Sequence, residues 1–341
     1  MGEKNGRAFE RIVVTGGCGF IGSNFVRHVV RQHPGVRVTV IDKLTYAANP
    51  ASIADLPPER VRLVVGDVCC AALLDRVVPG HDAVIHFAAE SHNDNSIVDP
   101  GAFVRNNVDG TFRLLEACRA HDVFLHHVST DEVYGDLALD DPARFSEGSP
   151  YRPSSPYSAT KASSDLLVRA WVRTFGVRAT ISCCSNNYGP YQNVEKFVPR
   201  QITNVLVGAR PRLYGSGRNV RDWIHVEDHC RAVWEIATRG RVGETYLVAA
   251  RSERSNLEVL RLILERMGRD ADDFDVVRDR PGHDRRYAVD PSKLERELGW
   301  RPLHTNLAEG IDQTIAWYRA HPSWWLPTKR ATEARYAARG Q

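Results

Sequence analysis

Arg11-Ile12-Val13-Val14-Thr15-Gly16-Gly17-Cys18-Gly19-Phe20-Ile21-Gly22 is the stretch that decides the fold. Its first five residues form a short apolar run suited to a buried parallel strand, and the glycines then turn the chain into a helix running to about Arg31. With Gly16, Gly19 and Gly22, the spacing is GxxGxxG, not GxGxxG. Gly16 would permit the turn, Gly19 would let a pyrophosphate approach the backbone, and Gly22 would allow close packing of helix on sheet. Phosphates would then lie over the helix amino terminus, beside Phe20 and Ile21. Glycine-rich turns after strands have other uses, so the reading depends on what surrounds this one.

Moving outward, the run Val36 to Ile41 reads as a second strand and ends in Asp42, about 20 residues past the glycines, where an acid binds both ribose hydroxyls. An acid there repels a 2′-phosphate, so NAD is expected rather than NADP; a turn or cap aspartate is the plain alternative. Lys43, Leu44 and Thr45 follow on the adenosine side. A third strand, Val61 to Val65, leads to Asp67 and Val68, with Asp67 placed to accept from the adenine amino group or simply to be a solvated turn residue. The fourth, Ala83 to Phe87, runs into Ala88, Ala89, Glu90, Ser91 and His92, mostly small side chains that let a dinucleotide lie against the backbone. Asp99 and Pro100 then open one long helix through Asn106, Asn107 and Gly110 to about His121. Four strand-helix repeats in succession predict an α/β protein with a Rossmann-type, doubly wound parallel sheet.

Composition excludes several other classes. The chain has 341 residues, 43% hydrophobic and 26% charged, the balance of an ordinary globular protein with a substantial core. A net charge of +3 with no basic run argues against nucleic acid. No apolar stretch approaches the roughly 20 residues of a membrane span, and Met1 to Glu10 is too polar for a signal peptide. Seven scattered cysteines show no metal-ligand spacing, which leads us to expect a reducing, cytoplasmic protein with no metal.

The chemistry should lie further along. A fifth strand, Val123 to Val128, would deliver Ser129, Thr130, Asp131 and Glu132 to the carboxyl edge of the sheet, where open α/β sheets bind ligands. After a polar loop, Ser155 and Pro156 start a helix bearing Tyr157 and Lys161, four apart and on one face. An ammonium beside the phenol would lower the tyrosine pKa and make Tyr157 a base for a substrate hydroxyl while hydride leaves the same carbon. A Tyr-x-x-x-Lys pair alone is common on amphipathic helices, and adjacent Asp131 and Glu132 alone would read as an acidic turn. The residues after 185 read as a smaller, mixed α/β substrate domain: residues 1–185 for the cofactor, 186–330 for the substrate, 331–341 as a tail, with a segment around 222–250 returning to the first sheet.

With these segments in view, the chain resembles the extended short-chain dehydrogenase/reductase family and, within it, the nucleoside-diphosphate-glucose 4,6-dehydratases. The segments that carry this are TGGCGFIG at 15–22, IDKLTYA at 41–47, AAESH at 88–92, STDEVYGD at 129–136 and SPYSATKASSD at 155–165. CSNNYGPYQ at 184–192, RDWIHVEDH at 221–229, DRPGHDRRY at 279–287 and ELGW at 297–300 extend it over nearly the whole chain. The resemblance implies dTDP-glucose as substrate, NAD as cofactor and a homodimer built on the helices near 100–121 and 157–175. It implies that Tyr157 deprotonates the carbon 4 hydroxyl, steadied by Thr130, that Glu132 removes the carbon 5 proton, and that a protonated Asp131 donates to the hydroxyl leaving carbon 6. It also implies that Asn186 and Lys196, with Phe197 beside them, meet the sugar diphosphate, that Asn187 lies near the nicotinamide, and that Arg212, Leu213 and Tyr214 flank the nucleoside. Arg221, Arg280 and His283 would hold the diphosphate, and Asn256, capping a helix from Leu257 to Met267, would touch the nucleotide. A nucleotide-sugar 4-epimerase, a dehydratase acting on a UDP-sugar and a non-catalytic NAD-binding protein are the alternatives; the carboxylate pair opposes the first and the Thr-Tyr-Lys set the last. Asn93 and Asn95 depart from the pattern, replacing an apolar and a basic residue.

Overall fold

The structure is a computed structural model that describes residues 6–279 and 282–338. The opening stretch forms β1 (Arg11–Thr15) and α1 (Phe20–Gln32), followed by β2 (Arg37–Asp42), β3 (Val61–Val65), α2 (Ala71–Val77) and β4 (Ala83–His86). A short helix α3 (Asn93–Val98) precedes α4 (Pro100–Phe103) and α5 (Gly110–His121), and β5 (Phe124–Thr130), α6 (Pro156–Phe175) and β6 (Ala179–Cys184) follow. Past β7 (Asn186–Tyr188) come α7 (Phe197–Leu206), β8 (Arg212–Tyr214), β9 (Val220–His225), α8 (Val226–Arg239) and β10 (Thr245–Val248).

Seven parallel strands form the main sheet in the order β10-β6-β5-β4-β1-β2-β3. The order reverses between β1 and β4, so the crevice for a ligand opens at the carboxyl ends of those two strands. Both sheet faces are covered, which explains why the strands read as continuous apolar runs. On one face α1 and α8 pack Phe25, Val29, Val233 and Trp234 against Val14 and Ile85; on the other α2, α5 and α6 pack Leu74, Leu114 and Val168 against Val13 and Leu125.

β5 sits fully buried in the middle, with two histidines in its interior. Burial of an imidazole is tolerated only with partners. His126 has Thr180 and Ser182 hydroxyls at 2.9 and 3.0 Å, and His127 has the Asp165 carboxylate at 3.2 Å and Lys161 Nζ at 3.3 Å.

Two helices differ from the sequence reading. The expected single helix from Pro100 to His121 is interrupted by a π-helical turn over Val104–Asp109. The extra residue in that turn lets the consecutive Asn106 and Asn107 both point inward, where their amides bond Glu90; π turns recur at functional sites for such reasons. Asn256 is the first residue of α9 (Asn256–Arg266) and not its cap: Ser255 caps it, in a reciprocal box with Glu258.

The remaining elements are β11 (Glu253–Ser255), β12 (Asp275–Val277), α10 (Ser292–Leu298), α11 (Leu307–Ala320) and α12 (Pro322–Ala338). β7, β9 and β11 make a small mixed sheet, and β8 pairs with β12. Ile202, Trp223, Ile263, Ile315 and Trp325 form a separate core beside it. The C-terminal stretch, which the sequence left without a reading, is thus the helix α12, docked by buried Trp325 and by the Tyr336 hydroxyl, which donates to the Glu195 carbonyl at 2.9 Å.

Candidate active site

One cleft runs along the carboxyl ends of the sheet and gathers residues from both halves of the sequence. Its first end is made of backbone. Gly16 adopts φ +69°, and a Cβ there would lie 2.7 Å from the Ala88 nitrogen. A Cβ on Gly22 would lie 2.2 Å from the Gly16 carbonyl oxygen, so the helix can seat on its own turn only if residue 22 is glycine. Gly19 caps α1 and brings no side chain to the first-turn amides, which stay available to an anion.

Asp42 follows at the tip of β2. Its carboxylate accepts from the Cys18 and Leu44 amides at 2.9 and 2.8 Å, one on each oxygen, so each oxygen keeps a lone pair for a ribose hydroxyl. Lys43 reaches the Asn106 side chain at 2.6 Å and the Asp67 carboxylate at 3.6 Å. Thr45, Val68, Ala88, Ala89, Ser91 and Asn106 complete this wall, together with Phe20 and Ile21. An amide-lined turn too tight for any side chain, an acid at the end of β2 with a free lone pair on each oxygen, and a floor of small residues fit NAD.

The second end is made of side chains. Thr130, Asp131, Glu132, Tyr157 and Lys161 all line the same cleft. β5 delivers the first of them: Thr130 ends the strand and its hydroxyl accepts the Glu132 amide at 3.3 Å, winding 131–134 into a short turn. Ser155 caps α6 and Pro156 starts it, setting Tyr157 in the first turn over the strand end.

Burial, and then the neighbouring Glu132 carboxylate, hold the Asp131 carboxyl well above the usual range. Asp131 is 2% exposed; one oxygen receives the Thr130 hydroxyl at 3.3 Å, and the other has no hydrogen-bond partner among the described residues. Such a shift favours the protonated carboxyl, the form that can give a proton to a substrate oxygen.

For Tyr157 the sequence expectation needs correction. Its pKa is raised well above the ordinary tyrosine value, first by burial and then by the Glu132 charge, with the Thr130 hydroxyl working the other way. The Lys161 ammonium donates instead to the Val128 carbonyl at 2.8 Å, on the strand beneath, and burial draws its own pKa down. Sharing a helical face sets a direction for two side chains; the stem of the lysine then follows the better acceptor.

The substrate residues divide. Asn186, Asn187 and Lys196 line the cleft, and Lys196 donates to the Ser91 carbonyl at 2.8 Å, joining the two walls. Arg221 lies 4% exposed, donating to the Asp284 carbonyl at 2.9 Å and stacked 4.2 Å over the Tyr287 ring. Its positive charge lies near enough to act on Asp131, and two backbone carbonyls, of Val220 and Asp284, take part of its fork. Leu213 is buried against Leu260 and Leu264, so its side chain faces a core. Phe197 packs against Trp223 with ring centres 6.1 Å apart. Leu44, Asp67, Arg212, Tyr214, Asn256 and His283 also stand outside the cleft wall, with His283 held by Asp279 at 2.7 Å. Arg280 lies outside the described residues.

The sequence assigns no site role to Glu90, Asn93, Gln192 or Glu195. Glu90 sits in the cleft wall with its pKa raised by burial, and Gln192 and Glu195 line the same wall. The YGPYQ segment would have flagged Gln192. Asn93 stands out in the sequence only as a departure from the family pattern; its amide meets Glu132 across 39 positions of sequence.

Comparison with known proteins matches this arrangement. Residues 13–314 match the GDP-mannose 4,6 dehydratase family. The dTDP-glucose 4,6-dehydratase of Mycolicibacterium smegmatis is 62% identical over 331 residues, covering 97% of this chain and 100% of its own. The solved dTDP-glucose 4,6-dehydratase of Streptomyces venezuelae, with NAD bound, is 46% identical with a TM-score of 0.89, covering 93% of this chain and 99% of its own. A UDP-N-acetylglucosamine 4-epimerase from Methanobrevibacter ruminantium has a TM-score of 0.83 at 26% identity, covering 92% and 99%. Fold alone therefore does not separate dehydration from epimerisation, and the site must do so.

Proposed function

The chain belongs to the GDP-mannose 4,6 dehydratase family, and from that premise we propose how its residues divide the work. The protein is an NAD-dependent hydro-lyase that converts dTDP-glucose to dTDP-4-keto-6-deoxyglucose. The net change is loss of water: carbon 4 is oxidised, carbons 5 and 6 lose the elements of water, and hydride returns to carbon 6 while a proton returns to carbon 5. Bound NAD supplies the hydride acceptor, the returning hydride and a positive charge in the cleft that favours a phenolate.

Tyr157 takes the proton from the carbon 4 hydroxyl, and the Thr130 hydroxyl beside it steadies the oxygen as alkoxide and then as ketone. Oxidation acidifies the carbon 5 proton, which Glu132 removes. Asp131, kept protonated by burial, donates to the hydroxyl leaving carbon 6. The observation that carries this reading is the carboxyl pair itself: Asp131 buried, Glu132 half-buried, on consecutive residues in the cleft that holds Tyr157. An epimerase returns hydride to carbon 4 and has no use for a second acid and base.

In this reading the seven-stranded sheet with its helices, including β10, is the NAD half, and residues 186–330 outside that sheet form the sugar-nucleotide half. Assembly as a homodimer through α5 and α6 is supported by apolar side chains left exposed on and beside these helices, Val104, Leu166 and Phe175. A monomeric mass by light scattering would contradict it. Cytoplasmic residence is supported by seven free cysteines and by the lack, among the described residues, of any helix long and apolar enough to cross a membrane.

Incubation with dTDP-glucose and, separately, UDP-glucose tests the function. The expected product is a 4-keto-6-deoxy sugar, seen by its absorbance in alkali, from the dTDP substrate. Formation of dTDP-galactose, or no turnover of any nucleoside-diphosphate hexose, would overturn the assignment.

A further inference from the structure

A carboxylate that must strip a proton from one carbon needs more than the right neighbours; it needs to be aimed. Glu132 carries three side-chain torsions and is half-buried at the cleft wall. Its Oε2 accepts a hydrogen bond from Asn93 Nδ2 at 2.9 Å. We propose that Asn93 is the positioning residue of this enzyme's carbon 5 base, tying Glu132 to the helix that carries Tyr157. The inference rests on the reading of Glu132 as that base.

The orientation of the Asn93 amide is set by its surroundings. Ser155 Oγ accepts the Ser158 amide at 3.1 Å as the cap of α6, and its own proton goes to Asn93 Oδ1 at 2.9 Å. With the amide oxygen committed as an acceptor, the NH2 group must face Glu132. The result is one line of oriented dipoles from the start of α6 through Ser155 and Asn93 to the carboxylate. Tyr157 stands two residues past Ser155 on the same helix, so the line fixes the carbon 5 base relative to the carbon 4 base. Two proton transfers at adjacent carbons of one bound sugar require such a fixed separation.

A purely structural role for the Asn93 side chain does not account for these contacts. Asn93 is the first residue of α3, and the bond that secures that turn is made by its backbone: its carbonyl accepts the Ser96 hydroxyl at 2.7 Å. A substitution of the side chain leaves that bond in place. The amide is spent on the site.

The test compares wild type, Asn93→Val and Asn93→Asp with dTDP-glucose, following both product and the near-ultraviolet band of NADH, with substrate deuterated at carbon 5 as a second arm. Because Asn93 acts after oxidation, Asn93→Val should lower kcat about 10-fold, leave KM within about twofold, and let NADH accumulate during turnover. Deuterium at carbon 5 should slow the variant more than the wild type. Asn93→Asp is the same size but sets a second carboxylate against Glu132, and should lose about 100-fold with the same accumulation of NADH. Thermal melts close to that of the wild type would show that the variants fold. Turnover of Asn93→Val within twofold of wild type, or a fall in kcat with no NADH accumulation and an unchanged isotope effect, would overturn the proposal while leaving the dehydratase reading intact. A wild-type protein that makes no 4-keto-6-deoxy product would overturn both.

Discussion

The two ends of the cleft are built from different material. The cofactor end is made of backbone: a turn closed by Gly16 and Gly22, uncapped amides at the start of α1, and an aspartate held by two amides of its own neighbourhood. The substrate end is made of side chains drawn from β5, α3 and α6, with buried Arg221 and Tyr287 behind them. A backbone cradle tolerates no change of shape but says little about which reaction follows. A side-chain constellation can lose one member and still fold, and it decides the chemistry. The epimerase of similar fold is the expected consequence of keeping the first end and changing the second.

The sharpest break of that contrast is at Gly22. Gly22→Val places a side chain 2.2 Å or less from the Gly16 carbonyl, so the turn must open, and NAD binding should vanish with a loss of roughly 3 kcal/mol of stability. Calorimetric titration with NAD and a urea melt would measure this; tight binding by a stable variant would show that the cradle is not rigid. Next in size is Asp131→Asn at the other end. It should bind NAD as the wild type does and lose about 100- to 1000-fold in kcat, because the amide cannot supply the proton that burial keeps on Asp131. A variant at wild-type rate would remove Asp131 as the acid, whereas weakened NAD binding would mean that the two ends are coupled.

A smaller effect concerns what lies beneath the substrate end. Asp165 is fully buried, receives the Ser129 and Tyr151 hydroxyls at 2.9 Å each, and has its pKa pushed up by burial from 3.8 to about 6. Between these values the folded chain holds a proton that the unfolded chain has lost. The stabilising contribution is therefore complete below about pH 4 and falls away as pH rises through about 6. Asp165→Asn should flatten that decline, seen as a smaller difference between urea melts at the two ends of the window. An unchanged slope would place the titration elsewhere.

The same contrast explains what could be read in the sequence. Strand and turn signals are local, so β1, its glycine turn and Asp42 were legible within some 30 residues, and so were Thr130 to Glu132 at the end of a strand and Tyr157 behind a capped proline start. For Tyr157 and Lys161 a helical repeat gives a shared face but not the acceptor: the Val128 carbonyl that takes the ammonium lies 33 positions away. Arg221 reads as a phosphate ligand by residue type, and only the structure shows that its guanidinium also donates to the carbonyls of Val220 and Asp284. The π-helical turn that faces both Asn106 and Asn107 inward, and the Asn93 contact with Glu132, come from packing between distant segments, for which one sequence carries no periodic signal. Helix α12 has Pro327 inside it and little apolar periodicity, so only its docking through Trp325 and Tyr336 explains why it forms.

The proposed chemistry turns on Glu132 removing the carbon 5 proton after carbon 4 has been oxidised. Mixing Glu132→Gln, loaded with NAD, with dTDP-glucose and following NADH absorbance together with product tests it most directly. The cofactor should be reduced, the signal should persist, and 4-keto-6-deoxy product should fall at least about 100-fold. Product formed at the wild-type rate, or no reduction of the cofactor at all, would contradict it.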